Sequence, residues 1–356
     1  MAKPSKNIFY FLLSLLYGAI TELRNLLFNW RILRSVSFEL PVISIGNLAV
    51  GGTGKTPHTE LLLKSLSEEW KTAVLSRGYK RETKGLRIAH FNDTAKTIGD
   101  EPFQIYSKFP HTMVAVDEKR VHGIRYIIGL KQGIELFLLD DAYQHRHVSP
   151  GLSILLTDFQ NLYTDDFMLP YGTLREKCRN SKRADIIIVT KCKPDLRIED
   201  MALVEQKLKI KPYQTLFFST FVYKDLYPAL ENNMEKVELT PESDIVLLTG
   251  IEKPQDMLRY LEKRTRQIET LFYPDHHNFT EEDLRVIEAK IINEKENRII
   301  ITTEKDFSRL KSNIHLSRNI LNKLFVLPIE VKILNNEHEI FIQKIKHYVS
   351  ENSRNS

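Results

Sequence analysis

A short apolar run, a glycine-rich loop and a Lys-Thr pair follow one another near the start of this chain and constrain its fold more than any other feature. Residues 42–61 read VISIGNLAVGGTGKTPHTEL, where VISI (42–45) predicts a buried strand and the residues from Lys55 onward predict an amphipathic helix. The amides of such a loop can surround phosphate groups, the lysine can reach the β- and γ-phosphate oxygens, and the threonine hydroxyl can bind Mg²⁺. Ala49 stands where the strict motif has its first glycine, but the order of strand, loop and helix is retained. The predicted nucleotide-binding residues are Ala49, Val50, Gly51, Gly52, Thr53, Gly54, Lys55 and Thr56.

The rest of the chain alternates apolar runs with helical stretches, a pattern typical of a parallel α/β fold. The runs are continuously apolar, as expected for strands that are buried on both faces of a sheet. We therefore predict a P-loop NTPase-like parallel sheet domain (35–215), a hinge (216–240) and a second, smaller α/β domain (241–350). The predicted strands are VISI (42–45), TAVLS (72–76), TMVAV (112–116), IELFLLDD (134–141), LSILLTD (152–158), ADIIIVTK (184–191), DIVLLTG (244–250), RQIETLFYP (266–274), NRIIITTEKD (297–306) and KLFVLPIEV (323–331).

The N-terminal segment (1–34) predicts a membrane-associated helix. No charged residue occurs from Asn7 to Thr21, and this apolar stretch is shorter than the roughly 20 residues that span a bilayer. On a helix, Asn7, Ser14, Gly18, Thr21 and Asn25 form one polar stripe. We expect the helix to lie in the membrane interface or to enter it partway. Two alternatives are a signal peptide, which lacks a cleavage site here, and a helix that packs against the domain.

Several acidic residues are candidates for metal binding and proton transfer. Asp140 and Asp141 end an apolar strand, the place where P-loop enzymes hold an Mg²⁺-binding carboxylate. Asp100 in Gly99-Asp100-Glu101-Pro102 lies between the loop and that strand and can take the proton of an attacking hydroxyl. An alternative for this segment is a helix N-terminus whose acids complement the helix dipole.

Two adjacent histidines occur in Tyr273-Pro274-Asp275-His276-His277, after a strand of the second domain. Next to an acid they are typical of metal ligands or of an acid–base pair. No second cluster of Cys or His in the sequence has a matching metal spacing, which argues against zinc. A turn that caps the following helix is the alternative.

The motifs taken together resemble the tetraacyldisaccharide 4'-kinases of lipid A biosynthesis. The resemblance extends over most of the chain and implies two lobes with the site between them, and ATP-dependent phosphorylation of the 4'-hydroxyl of a tetraacylated glucosamine disaccharide 1-phosphate. It also implies a membrane-associated location at the cytoplasmic face of the inner membrane of a Gram-negative bacterium. The residues that carry it are GNLAVGGTGKTP (46–57), SRGY (76–79), GDEP (99–102), DDAYQHR (140–146), LPYGTLRE (169–176), TGI (249–251), PDHH (274–277) and TEKD (303–306).

The same resemblance implies a role for each matching side chain. It assigns phosphate binding to Lys55, Mg²⁺ binding to Thr56, Asp140, Asp141 and Glu101, and the base to Asp100 with His276 as its partner rather than His277. Arg175 is implied to stabilise charge on the transferring group, with Gln144 nearby, and Arg77 and Arg120 to contact the phosphate of the acceptor. A solvated surface role is the alternative for the last two. The family's DDGFQHR is DDAYQHR here, and its LPAGPLRE is LPYGTLRE, so Tyr171 and Thr173 put the geometry near Arg175 in doubt.

Composition and single positions weigh against other classes of protein. A net charge of +5 over 356 residues does not suggest a nucleic-acid binder, and no obligate protein partner is evident. Partitioning-type switch ATPases carry a lysine where this chain has Val50, and a GTPase would have Asp where Lys193 follows Thr190-Lys191-Cys192. A soluble small-molecule kinase is opposed only by the apolar N-terminal segment.

Overall fold

The computed structural model describes residues 7–230, 237–292, 298–313 and 315–353. The first six residues of the predicted N-terminal segment and residues 231–236 of the predicted hinge therefore lie outside the described residues. In chain order the strands are β1 (Val42–Asn47), β2 (Thr72–Ser76), β3 (Arg87–Ile88), β4 (Met113–Val116), β5 (Leu136–Leu139), β6 (Leu152–Asp158), β7 (Ile186–Thr190), β8 (Thr215–Tyr223), β9 (Tyr227–Pro228), β10 (Asp244–Thr249), β11 (Gln267–Phe272), β12 (Ile299–Thr303), β13 (Leu324–Leu327) and β14 (Ile329–Ile333).

Helices connect most of these strands. They are α1 (Ile8–Asn29), α2 (Lys55–Leu66), α3 (Ala95–Ile98), α4 (Asp100–Lys108), α5 (Arg120–Gly129), α6 (Ile198–Leu208), α7 (Gln255–Glu262), α8 (Glu281–Ile292), α9 (Glu304–Lys311), α10 (Arg318–Lys323) and α11 (His338–Ser353), with a short 3₁₀ helix at Cys178–Arg183.

The strands form two sheets, and each sheet is the centre of a lobe. The first lobe holds nine strands in the order β14-β8-β7-β6-β1-β5-β2-β4-β3, and the second holds five in the order β11-β10-β12-β13-β9. Neighbouring strands from β8 to β4 are parallel, and β14 and β3 pair antiparallel at the two edges. Strands β1, β2, β5, β6 and β7 are buried along their whole length. The continuous apolar runs thus identify the interior strands, and the predicted α/β class is confirmed.

The chain crosses between the lobes twice, which the predicted domain limits did not anticipate. The expected boundary at residue 215 falls on the first residue of β8, a strand of the first lobe. The run KLFVLPIEV, predicted as one strand, divides at Pro328 into β13 of the second sheet and β14 of the first. Helix α11 packs on α2 and β14. Residues 329–353 therefore return to the first lobe and do not belong to a second domain at 241–350.

Helix α1 directs its polar stripe toward the protein and its apolar residues outward. Ser14, Gly18 and Asn25 are buried, whereas Leu16 and Ile20 are each 59% exposed. The alternative in which this helix packs against the domain is thus correct for its polar face. In the described part of the chain, α1 is the helix long and apolar enough to cross a membrane by length and composition.

Candidate active site at the junction of the two lobes

The predicted phosphate loop connects β1 to α2 in a tight turn. Gly51 and Gly54 have φ values of 107° and 87°, in the region that glycine adopts most readily. A Cβ on Gly54 would lie 2.5 Å from the Phe221 ring, so a larger residue would also clash there. Inside the loop, the Thr53 hydroxyl accepts a hydrogen bond of 2.9 Å from Asn47 Nδ2. Lys55 then begins α2, whose N-terminus attracts anions.

The LPYGTLRE segment lies along this loop and supports it. The Val50 amide donates to the Thr173 carbonyl at 2.8 Å, and the Arg175 amide donates to the Leu48 carbonyl at 2.7 Å. The two residues that depart from the family pattern have partners of their own. Thr173 bonds through its hydroxyl to Asp166, and the Tyr171 ring packs edge-on against Phe11 of α1, with centroids 5.5 Å apart.

Asp140 and Asp141 follow β5 and lie beside the loop. Lys55 Nζ is 3.7 Å from Asp141, and Arg175 donates to both Asp141 oxygens at 3.3 Å. Burial opposes ionisation of Asp141, but these two cations outweigh it and lower its pKa. Asp140 is fully buried and accepts from Thr59 Oγ1 at 3.2 Å. Burial, followed by the charges of Glu101 and Asp141, raises the pKa of Asp140 to about 7.

Gln144 and Arg120 lie near this carboxylate pair, and Arg77 lies near Arg120. Gln144 donates to the Asn47 carbonyl at 2.7 Å and lies 3.5 Å from an Arg175 nitrogen. Arg120 is buried, and its pKa falls to about 10 because of that burial, with a further contribution from nearby Arg77. Arg77 itself is exposed, as expected for a side chain that meets a ligand or solvent.

Asp100 and His276 meet across the lobe junction. His276 Nδ1 lies 3.0 Å from Asp100 Oδ2, although the two residues are 176 apart in the chain. Asp100 is also the first residue of α4, so the helix-terminus alternative and the contact with histidine are both present. His276 has a φ of 62°, an uncommon conformation for a residue other than glycine. His277 contacts Asp283 at 2.8 Å instead and stacks on Tyr273.

Two side chains of the second lobe that were not predicted also lie in this site. Arg309 of α9 donates to Asp100 Oδ2 through Nε at 2.8 Å, and Glu252 Oε2 accepts from the Gly52 amide at 3.3 Å. Glu252 directly follows TGI, and Arg309 lies three residues after TEKD, so both adjoin motifs already recognised. The nearby motifs could have drawn attention to Glu252 and Arg309. Neither motif indicates that these side chains contact residues of the first lobe.

A buried strand, a glycine-rich loop and a helix that begins with Lys-Thr, with two aspartates at the end of the neighbouring strand, are typical of P-loop NTPases and kinases. The family model described as LpxK, tetraacyldisaccharide-1-P 4'-kinase, matches residues 7–349. The chain belongs to this family. It is thus an ATP-dependent kinase that phosphorylates the 4'-hydroxyl of the tetraacyldisaccharide 1-phosphate in lipid A biosynthesis, as the motifs predicted.

Relatives and a solved structure agree with this assignment. The chain is 47% identical to a tetraacyldisaccharide 4'-kinase of Bacteroides thetaiotaomicron, over 96% of this chain and 93% of the relative. It is 44% identical to one of Flavobacterium johnsoniae, over 95% and 96% of the two chains. It is also similar to the crystal structure of LpxK from Aquifex aeolicus in complex with ATP. The TM-score is 0.71 at 26% identity, with 95% of this chain and 98% of that chain covered.

Proposed function

We propose that Asp100 accepts the proton of the acceptor's 4'-hydroxyl while the loop of residues 49–56 holds the phosphates of ATP. As the hydroxyl oxygen bonds to the γ-phosphorus, the bond from that phosphorus to the β,γ-bridging oxygen breaks, ADP leaves, and the proton passes to Asp100. The product is the 1,4'-bisphosphate. The contact between Asp100 and His276 carries this proposal, because it joins the candidate base to the second lobe.

The free oxygen of Asp100 supports its role as the base. Oδ2 is bonded to His276 and Arg309, whereas no donor among the described residues reaches Oδ1. One oxygen is therefore held in place and the other is available to a substrate proton. Burial opposes ionisation of this carboxyl, but hydrogen bonding to His276 and the charge of Arg309 outweigh it and lower its pKa.

Mg²⁺ fits the side chains at the end of β5. Asp140 Oδ2 is buried and has no hydrogen-bond donor among the described residues, and the neighbouring candidates supply oxygen atoms, which Mg²⁺ prefers. A cation there would also offset the repulsion that Asp140 experiences from Glu101 and Asp141. We assign Mg²⁺ to Thr56 and Asp140, with Asp141 and Glu101 nearby. When bound, Mg²⁺ would neutralise phosphate charge.

Three arginines have proposed roles toward phosphate. Arg175 carries a planar fork suited to phosphate oxygens and lies beside Asp141, close to Lys55. We assign to it the stabilisation of charge on the transferring group. Arg120, with a buried Nε that lacks a partner among the described residues, and the neighbouring Arg77 suit the existing phosphate of the acceptor.

We assign the outward apolar face of α1 to the cytoplasmic surface of the inner membrane. Exposed leucines and isoleucines occur along this helix, and such a face is stable when it is buried in lipid. The inward face lies against the active-site loops, since Arg24 donates to the Gln144 carbonyl at 3.0 Å. The same helix would thus connect the lipid surface to the site of transfer.

The experiment that tests the base is an assay with γ-labelled ATP and the tetraacyldisaccharide 1-phosphate in mixed micelles. We expect the wild type to label the 4'-position, and Asp100→Asn to lower kcat by about 10²- to 10⁴-fold without a change in the Kd of ATP. Asp256→Asn, which changes an exposed aspartate of α7, is the matched control. A wild-type kcat in Asp100→Asn would contradict the proposal.

A further inference from the structure

The TGI and TEKD motifs come together at the end of the second sheet and enclose Asp306. This carboxylate is fully buried. Its Oδ2 accepts from Thr249 Oγ1 at 2.8 Å, from the Gly250 amide at 3.0 Å and from Thr303 Oγ1 at 2.8 Å. Asp306 is therefore held by both motifs through Oδ2, and its Oδ1 accepts a hydrogen bond from a further side chain. A buried carboxylate fixed in this way is a rigid anchor for a cation.

That cation is Arg309, which lies one helical turn further along α9. Its NH1 donates to Asp306 Oδ1 at 3.0 Å, and its side chain is only 3% exposed. The other side of the guanidinium faces the first lobe, where Nε and NH2 lie 2.8 and 2.7 Å from Asp100 Oδ2. Because the guanidinium is planar and its donors are fixed relative to one another, anchoring NH1 also directs the other two donors.

The hydrogen-bond pattern around His276 agrees with this arrangement. Lys305 Nζ lies 3.3 Å from His276 Nε2. On the other side of the ring, His276 Nδ1 lies 3.0 Å from Asp100 Oδ2. Arg309 NH2 lies 3.1 Å from the same Nδ1 and 2.7 Å from Asp100 Oδ2, so His276 and Arg309 meet at one carboxylate oxygen. Lys305 thus contacts His276, and Arg309 contacts both His276 and Asp100, from the same face of α9.

We propose that Arg309, anchored by Asp306, is a positioning residue for the proton acceptor. It fixes Oδ2 so that Oδ1 of Asp100 points to the hydroxyl that attacks ATP. The TGI and TEKD motifs then serve the chemistry through one chain of contacts from Asp306 to Arg309 to Asp100. This inference rests on the proposed role of Asp100.

The test compares Arg309→Ala, Arg309→Lys and Arg285→Ala. Arg285 is an exposed arginine of the same lobe whose ion pair among the described residues is with Glu281 on its own helix. Kinetic constants for both substrates, the Kd of ATP and the thermal midpoint are measured for each. We expect Arg309→Ala to lower kcat by about 10- to 100-fold, the loss typical of a charge-assisted hydrogen bond pair, with the Kd of ATP unchanged. Arg309→Lys should retain an intermediate kcat, and Arg285→Ala should resemble the wild type.

Rescue with guanidinium chloride separates positioning from a purely structural role. Millimolar guanidinium should raise the kcat of Arg309→Ala, whereas sodium chloride at the same concentration should not. Guanidinium should not raise the kcat of the wild type or of the double variant Asp100→Asn, Arg309→Ala. A lowered thermal midpoint without rescue, or a kcat equal to that of Arg285→Ala, would overturn the inference. If Arg309→Ala does not fold, Arg309→Lys provides the test. A wild-type kcat of Arg309→Lys would overturn the inference, and a lowered kcat of Arg309→Lys at unchanged ATP affinity would support it. Full activity of Asp100→Asn alone would instead refute the proposed base.

Discussion

Asp140 and Asp141 are neighbours in the chain, yet the protein shifts their pKa values in opposite directions. Both are largely buried, which favours the neutral acid. Asp141 has Lys55 and Arg175 within 3.7 Å and its pKa falls, whereas Asp140 is next to Glu101 and Asp141 and its pKa rises. Lys55 and Arg175 therefore favour the charged form of Asp141, whereas burial and the neighbouring carboxylates oppose the charged form of Asp140.

Replacement of Lys55 should impair the transfer step more than the fold. We expect Lys55→Ala to lower kcat by about 10²-fold or more, because a charge that helps to neutralise the transferring group is lost. Lys64→Ala is the matched control, since Lys64 lies on the same helix and is 68% exposed. Steady-state kinetics with the lipid acceptor and a thermal melt are the measurements. A kcat for Lys55→Ala within twofold of the control would contradict this prediction.

Glu252 should weaken ATP binding, because its carboxylate accepts from an amide of the phosphate loop. Gly52 donates to Glu252 at 3.3 Å, and phosphate oxygens would use the same amide. We expect Glu252→Gln to tighten ATP binding by about two- to fivefold, a range suited to an exposed charge. Calorimetric titration with ATP measures this change, and Glu262→Gln, on the exposed surface of α7, is the control. Unchanged or weaker binding would show that the carboxylate does not compete.

The sequence predicted site residues that occur inside motifs, but not the residues that contact them from far along the chain. Asp100, Asp140 and Lys55 each follow a recognisable strand, glycine or loop signal. Arg309 reaches Asp100 from 209 residues away, and Glu252 reaches Gly52 from 200 residues away. No local pattern encodes such a pairing, since it depends on how the two lobes pack.

Helix α1 shows how an element can be predicted correctly while its orientation is not. The sequence gives the polar stripe and the absence of charge, but not which face meets the protein. Asn25 of the stripe donates to Glu176 at 3.1 Å, and Arg146 donates to the Asn25 carbonyl at 2.7 Å. The stripe thus docks on two active-site motifs, and deletion of residues 1–34 would disturb these contacts as well as membrane binding.

Point substitutions on the outward face test membrane contact without that disturbance. We expect Leu16→Lys with Ile20→Lys to reduce binding to anionic vesicles by at least about tenfold, since the apolar area that would enter lipid is lost. The thermal midpoint should remain close to that of the wild type because both residues are exposed. Ile198→Lys, a residue of α6 that is 76% exposed, is the control. Equal vesicle recovery of the double variant and the control would exclude this surface as the membrane contact.

The sequence predicted which segments form buried strands, but not which of the two sheets each strand joins. The run KLFVLPIEV is apolar throughout, but Pro328 interrupts it and the two halves enter different sheets. Its second half, β14, pairs with β8, which contains residues 216–223, the first part of the segment expected to be a hinge. Apolar content predicts a strand, whereas the partner strand depends on the course of the whole chain.

In the whole molecule, charged side chains cross the lobe junction at more than one point. Lys108 of α4 donates to Glu60 of α2 at 2.6 Å and to Glu304 of α9 at 2.7 Å. Glu304 is the second residue of TEKD and the first of α9, so the helix that carries Arg309 is linked through Lys108 to the phosphate-loop helix. These contacts join α9 of the second lobe to α4, the helix that begins with Asp100.

A double-mutant cycle on Asp100 and His276 tests most directly whether proton transfer depends on a pair assembled from both lobes. The measurements are kcat for Asp100→Ala, His276→Ala and the double variant, with an ATP-binding titration for each. We predict that each single change lowers kcat by about 10²-fold or more at unchanged ATP affinity. The loss of kcat in the double variant should be far smaller than the product of the two single losses, because the effects of residues that act as a unit are not additive. Strictly multiplicative losses, or loss of ATP binding in either single variant, would contradict the account.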